Sequence, residues 1–285
     1  MTQSIYEHQV SFKDSSLRGL IYGSAAFCLF LLACMVLYII YQGFAAMSWQ
    51  FVSTATSATK GIVGILGNII NTLYVVACTL DMAVPLGVGS AIYLNEYAKR
   101  GRLVKAIEFT TETLAGIPSI IFGIFGMLFF GVTLGLKYSI LTGSLTLTLM
   151  ILPLLTRTTQ EALKAVLPAY RMGALGLGAS KWYMIRTIIL PSAMPGIITG
   201  TVLALGRVIG ESAALLFTAG SGYFLSKDVV MKIFQPGGTL LIQMYIYMQN
   251  ADYVHAFGIA VILVLLVLAL NILAQWIARS FQVQA

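Results

Sequence analysis

Two opposite charges, Arg207 and Glu211, lie four residues apart in an otherwise apolar stretch of the chain. Four residues turn an α-helix by about 400°, so both side chains would share one helix face. A guanidinium offers hydrogen-bond donors that match the geometry of phosphate-like oxyanions. The pair fits two roles: the lining of a translocation pathway for an anion, or a structural ion pair that locks two helices together.

The sequence carries no motif of enzyme chemistry. It has no phosphate-binding loop of the form G-x-x-x-x-G-K-[ST], no G-x-S-x-G nucleophile elbow and no H-E-x-x-H helix. The histidines His8 and His255 are far apart, and the cysteines Cys28, Cys34 and Cys78 lie in apolar runs where a disulfide framework is not expected. We therefore predict a protein that is not an enzyme and that holds neither a metal nor a cofactor.

The composition indicates that lipid is the solvent of most of the chain. Hydrophobic residues make up 59% of the 285 residues and charged residues 9%, with a mean hydropathy of +0.90. A soluble domain carries about 25% charged residues, so this chain is too apolar to cover a water-facing surface. The net charge of +7 does not point to nucleic acid, because the basic residues interrupt apolar runs and form no single patch.

Six apolar runs are long enough to cross a membrane, which predicts an all-α polytopic membrane protein with six transmembrane helices. These runs place twelve Lys and Arg residues on one side of the membrane and four on the other. Because basic residues accumulate on the cytoplasmic side, both termini are predicted to be cytoplasmic. The polar start of the chain predicts no removable signal peptide. The six runs are 20–41, 67–94, 107–136, 139–158, 192–219 and 254–278.

Two segments between the predicted spans are long. The cytoplasmic segment 157–191 is too charged to cross lipid, yet it is rich in helix-forming residues. The outer segment 220–253 contains the apolar run 240–248. That run is too short to span a membrane, so it is predicted to be interfacial or re-entrant.

Other residues inside the predicted spans also carry information. Asp81 falls near the middle of the second span, and three states stay open for it: protonated, paired or facing a pore. Glu112 precedes the sequence Ala-Gly-Ile-Pro-Ser at 115–119, which predicts a break or kink in the third span. Gly196 and Gly200 have the G-x-x-x-G spacing, which predicts close packing of the fifth span on another helix.

The segment 157–191 contains the sequence M-G-A-L-G-L-G-A-S-K-W from position 172 and ends in I-I-L-P. It resembles the EAA loop of bacterial ABC-importer permeases, E-A-A-x3-G-x9-I-x-L-P, although Met172 and Gly173 replace the Glu and the first Ala. The resemblance implies a short coupling helix that inserts into a groove of a separate ATPase. A tight bend at Gly178 and the start of the next helix at Pro191 fit that arrangement. The implied coupling residues are Ala174, Gly178, Ala179, Ser180, Leu190 and Pro191.

Three other stretches are similar to the permeases of phosphate-specific (Pst) importers. They are LAGIPSI at 114–120, RTTQE at 157–161 and RVIGESAALLFTA at 207–219, and the last is closer to PstA-type than to PstC-type permeases. The resemblance implies a type I ABC importer permease fold of the MetI-like kind, and a part for Arg207 and Glu211 in phosphate passage. Residues 1–60 would then hold the N-terminal cytoplasmic tail, the first span and an outer loop, and residues 61–285 the permease domain.

The same resemblance implies the partners and the location. The partners are a PstC-like second permease, a PstB-like ATPase dimer, a PstS-like phosphate-binding protein and membrane lipid, with no nucleic acid. The location is the bacterial inner membrane, and ATP hydrolysis is expected on the partner chain. Two alternatives stay open: a permease for another oxyanion such as sulfate or molybdate, and a stand-alone channel or secondary transporter.

Overall fold

The computed structural model describes residues 12–57, 62–99, 101–222 and 228–280. Within these ranges the chain is almost entirely helical. π-Helical turns follow α3 and α5 and precede α9, at Tyr93–Tyr97, Met127–Thr133 and Ile185–Ile189. The helices are α1 (Phe12–Gly43), α2 (Trp49–Ser53), α3 (Leu66–Ile92), α4 (Arg102–Ala115), α5 (Ser119–Gly126), α6 (Ile140–Ala165), α7 (Pro168–Gly176), α8 (Lys181–Met184), α9 (Leu190–Ile209), α10 (Ala213–Thr218), α11 (Val229–Lys232), α12 (Leu240–Gln249) and α13 (Tyr253–Ser280).

Five helical stretches in the described ranges are long and apolar enough to cross a membrane, and the bent pair α4–α5 makes six when it is counted as one span. The predicted all-α polytopic fold is therefore confirmed. We name the end of the bundle that holds residues 93–99, 101–105 and 163–189 the loop end, and the opposite end the far end. The five unbroken stretches are Ser16–Ala46, Leu66–Tyr97, Ile140–Ala165, Lys181–Ile209 and Tyr253–Trp276.

The third predicted span is divided between two helices. α4 and α5 meet at an angle of 101°. Gly116 N donates to Thr113 O at 3.1 Å in a tightened last turn of α4, and Pro118 then takes an extended ψ of 137°. Proline disfavours helical geometry in the residue before it and has no N–H to donate. The break predicted at 115–119 in the third span is confirmed.

α6 is the span on which the neighbouring helices pack, and 67% of its most apolar stretch is buried inside the protein. Small residues allow α9 to approach it closely. A Cβ atom on Gly196 would lie 2.6 Å from Ala162 Cβ, and one on Gly200 would collide with the Thr158 side chain. The predicted close packing through Gly196 and Gly200 is confirmed, and the helix that they contact is α6.

α6 also extends beyond the predicted fourth span of 139–158. It continues to Ala165, so residues 157–165 of the predicted cytoplasmic segment belong to this helix. Arg157 and Glu161 pair at 3.3 Å on its exposed side, one turn apart. Such i,i+4 pairs stabilise a helix in water by about 0.3–0.5 kcal/mol. The charged residues that follow the apolar part of α6 therefore do not end the helix. The connection to α8 is consequently shorter, from 166 to 180.

The fifth predicted span, 192–219, differs from the structure at both ends. The helical stretch begins earlier, at Lys181, because α8, the π-helical turn and α9 are continuous. It ends at Ile209, and a separate helix, α10, follows. Gly210 occupies the break, and glycine in a helix costs about 1 kcal/mol relative to alanine. α10 then packs on α5, where a Cβ atom on Gly123 would lie 2.8 Å from Ala214 Cα.

A β-hairpin and the short helix α12 lie at the far end. Strands β1 (Ala55–Ser57) and β2 (Ile62–Ile65) form the antiparallel hairpin, in which Ala55 pairs with Ile65, and it was not predicted from the sequence. α12 covers the apolar run 240–248 and packs against α13. Its ten residues are about 15 Å long, so the prediction that this run does not cross the membrane is confirmed.

Buried polar side chains at the start of α3 hold the irregular segment before α12 in place. Asn68 Nδ2 donates to Gly238 O at 2.9 Å, and Asn71 Nδ2 donates to the same carbonyl at 3.2 Å. Thr72 Oγ1 accepts a hydrogen bond from Leu240 N at 2.9 Å. Backbone groups out of water need partners within the protein, and these side chains supply them.

Candidate functional site

Arg207 lies in the last turn of α9 with its side chain exposed. It forms neither a hydrogen bond nor an ion pair in the part of the chain that the structure describes. Gly200 of α9 contacts Thr158 of α6, and the seven helical residues from Gly200 to Arg207 rise by about 10 Å. Arg207 is therefore level with the middle of α6. A guanidinium facing lipid at this depth costs about 2.5–3.5 kcal/mol, which favours a surface that faces protein or water.

Glu211 does not share a helix face with Arg207. α9 ends two residues before it, and its Oε1 atom accepts a hydrogen bond from Ala214 N at 3.1 Å. Ala214 N is one of the backbone donors at the start of α10 that has no partner within the helix. The predicted Arg207–Glu211 face pair is wrong because Gly210 breaks the helix and the carboxylate caps the next one. The structural ion pair between the two side chains is thereby excluded.

The exposed positions of α9 form a stripe that ends at Arg207. The exposed residues before it follow one another at spacings of three and four, which one helix face produces, and they are Ser192, Pro195, Thr199 and Leu203. Two of these residues carry hydroxyl groups, which donate to carbonyls of their own helix: Ser192 Oγ to Ile188 O at 2.7 Å and Thr199 Oγ1 to Pro195 O at 2.9 Å. Near the middle of the membrane span the stripe consists of the apolar Leu203 and the Arg207 guanidinium.

Asp81 is exposed on α3 at a similar depth. The carbonyl of the neighbouring Thr79 accepts a hydrogen bond from Thr148 Oγ1 at 3.4 Å, which places this part of α3 beside the middle of α6. No described residue forms a hydrogen bond or an ion pair with the Asp81 carboxyl group. Of the three states open to Asp81, pairing with a described residue of its own chain is excluded.

Gly178 ends α7 in a Schellman motif. Its φ angle is +83°, and its N–H donates to Leu175 O at 3.0 Å. Ala179 N donates to Ala174 O, also at 3.0 Å, and both alanines pack on the same apolar cluster at the loop end. Glycine adopts this left-handed conformation without the steric penalty of a Cβ atom. The tight bend predicted at Gly178 is confirmed.

Ser180, Leu190 and Pro191 belong to the stretch after the bend. Ser180 caps α8, since its Oγ atom accepts a hydrogen bond from Tyr183 N at 3.2 Å. Leu190 packs on the same apolar cluster as Ala174. Pro191 is the second residue of α9, but the π-helical turn 185–189 joins it to α8 without a gap. The next helix therefore begins before Pro191, contrary to prediction, and a wider turn lies where the missing proline N–H would interrupt an α-helix.

The outward surface of α7 is apolar. Met172, Leu175 and Leu177 expose 69%, 51% and 91% of their surface. Large apolar side chains exposed close together mark contact surfaces. Met172 stands where the EAA pattern has a glutamate, so this surface offers apolar contact in place of a carboxylate.

A mostly buried ion pair at the loop end was not predicted from the sequence. Arg171 of α7 binds Glu96 of the π-helical turn after α3, with Nη2 to Oε1 at 2.9 Å. The partners are 75 residues apart, and no periodic pattern connects them. The available signal was that Glu96 is the single acidic residue of the segment 95–106.

The fold and these surfaces define a multi-pass membrane protein that presents a helical loop at one end. Residues 83–283 match the family described as binding-protein-dependent transport system inner membrane component. This chain belongs to that family.

Named relatives and a solved structure agree with this assignment. "Probable ABC transporter permease protein YqgI" of Bacillus subtilis (strain 168) is 36% identical over 253 residues, 84% of this chain and 86% of the relative. "Phosphate transport system permease protein PstA 1" of Mycobacterium tuberculosis (strain CDC 1551 / Oshkosh) is 31% identical over 286 aligned residues, 94% of this chain and 92% of the relative. A chain of the bacterial alginate ABC transporter, solved with an alginate pentasaccharide-bound periplasmic protein, matches with a TM-score of 0.68 at 17% identity, covering 94% of this chain and 95% of that chain. At this identity the structural match concerns the fold alone.

Proposed function

We propose that this chain is a transmembrane permease subunit of an ATP-driven importer of inorganic phosphate, and that it forms half of the translocation pathway. The observation that carries the substrate is the similarity to a phosphate transport system permease over 94% of this chain. The alternatives, another oxyanion such as sulfate or a stand-alone channel, are outcomes of the test below.

The partners follow from the same proposal. A PstC-like permease supplies the other half of the pathway, a PstB-like ATPase dimer supplies ATP hydrolysis, and a PstS-like protein delivers phosphate. The loop end lies on the cytoplasmic side of the inner membrane, because twelve Lys and Arg residues fall on that side and four on the other. Residues 61–285 form the permease domain, and both termini are cytoplasmic.

Arg207 is the proposed contact with phosphate in the pathway. Its guanidinium is exposed near mid-span and has no partner among the described residues, so no carboxylate of the described ranges neutralises it. A planar guanidinium can bind two phosphate oxygens at once. One such contact favours entry, and it is weak enough to allow release on the other side. Glu211 acts beside it by fixing the start of α10 through Ala214 N.

The loop from 166 to 180, together with α8, is the proposed contact with the ATPase. The exposed apolar side chains Met172, Leu175 and Leu177 suit insertion into a groove. The Schellman motif at Gly178 and the cap at Ser180 give this surface one fixed shape. ATP binding would close the ATPase dimer and move the loop, and the spans would then open the pathway outward to receive phosphate. Hydrolysis would return them to the inward-open state.

The test is reconstitution of the whole transporter. The chain is purified together with the second permease and the ATPase of the proposed transporter, placed in proteoliposomes and supplied with the binding protein. Radiolabelled phosphate uptake is then measured with and without ATP, and with an excess of unlabelled phosphate, sulfate or molybdate. We expect uptake that requires both ATP and the binding protein and that only unlabelled phosphate competes.

Two results would overturn the proposal in different ways. Uptake of labelled sulfate or molybdate, with none of phosphate, would assign the permease to another oxyanion. Phosphate flux through the purified chain without the ATPase would assign it to channels or secondary transporters. The control in each case is the same measurement without the binding protein. Uptake by the proposed importer requires that protein, whereas flux through a stand-alone channel does not.

A further inference from the structure

A polar clamp at the loop end connects α7 to two other elements. Arg171 Nη2 and Nε donate to Glu96 Oε1 at 2.9 and 3.2 Å. The same guanidinium donates to Leu163 O at 2.7 Å and to Val166 O at 2.8 Å. One side chain therefore joins α7, the C-terminal end of α6 and the π-helical turn after α3.

The groups in this clamp satisfy one another. The carbonyl of Val166 lies at the end of α6, where a helix has no N–H groups left to offer, and that of Leu163 accepts one further hydrogen bond, from Val166 N at 3.4 Å. The carboxylate of Glu96 accepts one more hydrogen bond, from Asn95 Nδ2 at 2.7 Å. The planar fork of arginine reaches the carboxylate and both carbonyls together, and the compact ammonium of a lysine cannot reproduce that geometry.

Burial distinguishes the clamp from the two exposed ion pairs of Arg157 and from the partly exposed pair of His255 with Asp252. The side chain of Glu96 is 6% exposed and that of Arg171 22%, whereas both partners in each Arg157 pair are more than 60% exposed. Exposed pairs exchange their partners for water at little cost. A buried carboxylate that loses its guanidinium is left with an uncompensated charge, so the clamp holds a single geometry.

A second contact joins the π-helical turn 93–97 to α8, which follows the bend at Gly178. Lys181 Nζ of α8 lies 5.0 Å from the centre of the Tyr97 ring. A cation at this distance from an aromatic face is attracted to it. Both α7 and α8 therefore contact the turn 93–97 at the end of α3.

We propose that the Arg171–Glu96 clamp transmits displacement of the ATPase-facing loop to α3 and α6. α8 has a covalent route to α9 through the π-helical turn 185–189. α7 is far from α3 along the chain, and it reaches α3 through the clamp and through the apolar cluster that Ala174 shares with Ala91, of which only the clamp is directional. Because α3 packs along α6, and α6 along α9, the clamp moves the spans that carry Asp81 and Arg207. This inference rests on the proposed function, since a loop that contacts no ATPase has no displacement to transmit. Arg171 and Glu96 are positioning residues that touch neither phosphate nor ATP.

The experiment measures ATP hydrolysis and radiolabelled phosphate uptake in the same proteoliposomes, using the complete transporter. The clamp variants are Arg171→Gln, Arg171→Lys, Glu96→Gln and the double variant Arg171→Gln with Glu96→Gln. Arg102→Gln, which removes an exposed guanidinium at the start of α4, is the matched control. Recovery of the assembled complex is measured for each.

The phosphate taken up per ATP is expected to fall by about tenfold in Arg171→Gln and less in Arg171→Lys, while ATP hydrolysis persists. The double variant should be no worse than Arg171→Gln alone, because the two residues act as one unit. Arg102→Gln should keep the ratio of the unmodified transporter.

The ratio separates transmission from a merely structural role. A structural role alone would lower the yield of complex and leave the phosphate taken up per ATP by the assembled complex unchanged. That result would overturn the proposal that the clamp transmits displacement. If Arg171→Gln fails to assemble, the test uses Arg171→Lys and Glu96→Gln instead. If both variants take up phosphate per ATP within about twofold of the unmodified transporter, transmission through the clamp is overturned as well. No phosphate uptake by the unmodified transporter would instead overturn the proposed function.

Discussion

Arg207 and Glu211 stand on the two sides of a helix break, and the Glu211 carboxylate accepts a hydrogen bond from Ala214 N at 3.1 Å. The break interrupts the helical path at about the depth of mid-span, where irregular backbone is tolerated only against protein or a water-filled cavity. The same arrangement leaves the guanidinium without a carboxylate partner in the described part of its chain. Arg207 is thus available to an anion or to a group on a second subunit.

Loss of the Arg207 charge should abolish most phosphate transport. Arg207→Gln is expected to lower uptake by about tenfold or more, because the neutral amide gives up the charge-assisted bonds to phosphate. Arg207→Lys should keep part of the activity, since it retains the charge without the planar fork. The measurement is uptake by the reconstituted transporter, with complex assembly followed separately. Arg18→Gln, at an exposed position of α1, is the control, and normal uptake in Arg207→Gln would exclude the residue from the pathway.

Substitutions at Glu211 should separate capping from charge. Glu211→Ala removes the acceptor of Ala214 N and is expected to destabilise the protein by about 0.5–2 kcal/mol, as cap removal does elsewhere. Glu211→Gln keeps an oxygen acceptor and should retain most of that stability. Thermal unfolding of the purified complex in detergent makes the comparison. Equal losses in both variants would show that the negative charge, rather than the hydrogen bond, matters at this position.

The close packing of α9 on α6 leads to a third prediction. Gly200→Val places a branched side chain against Thr158 and is expected to cost about 1–3 kcal/mol of stability. Gly206→Ala is the matched variant on the same helix, because a Cβ atom there meets nothing within 4 Å. It should leave stability unchanged or raise it by up to about 1 kcal/mol. Similar melting temperatures for the two variants would contradict the packing.

Apolarity and spacing were sufficient to predict the spans, because each span must bury its backbone groups in its own helix. They were insufficient at helix ends. α6 runs on through Arg157 and Glu161, since charges on its exposed side do not oppose a helix once it leaves lipid. α9 stops at Ile209, since Gly210 and the capping carboxylate of Glu211 together favour a new helix. Hydropathy predicts neither the continuation of α6 nor the end of α9.

The bend at Gly178 and the Arg171–Glu96 clamp also differ in how far the sequence predicts them. The bend at Gly178 is local, because one glycine with positive φ and two backbone hydrogen bonds determine it, and the spacing of the pattern was enough to predict it. The contact of Arg171 with Glu96 joins positions 75 residues apart, and it exists only because α3 and α6 end side by side. A single sequence records neither the partner nor the burial of such a pair.

Substitution of Gly178 should weaken coupling through backbone conformation alone. Nothing lies within 4 Å of a Cβ atom built there, so the cost arises from its φ of +83° and not from collision. Gly178→Ala is expected to cost about 1 kcal/mol, and Gly178→Val more, because a β-branched side chain is strongly disfavoured in this region. The displaced bend would move α7 relative to α8, so phosphate taken up per ATP should fall more in Gly178→Val than in Gly178→Ala.

The matched variant for this prediction is Gly176→Ala, which lies two residues earlier in the same open surroundings but within α7. Alanine is favoured over glycine inside a helix by about 1 kcal/mol, so this change should preserve or raise the melting temperature. Melting temperatures and uptake per ATP are measured on the same preparations of the complete transporter. Full coupling in Gly178→Val would mean that the Schellman bend does not shape the ATPase-facing surface, even if its stability fell as expected.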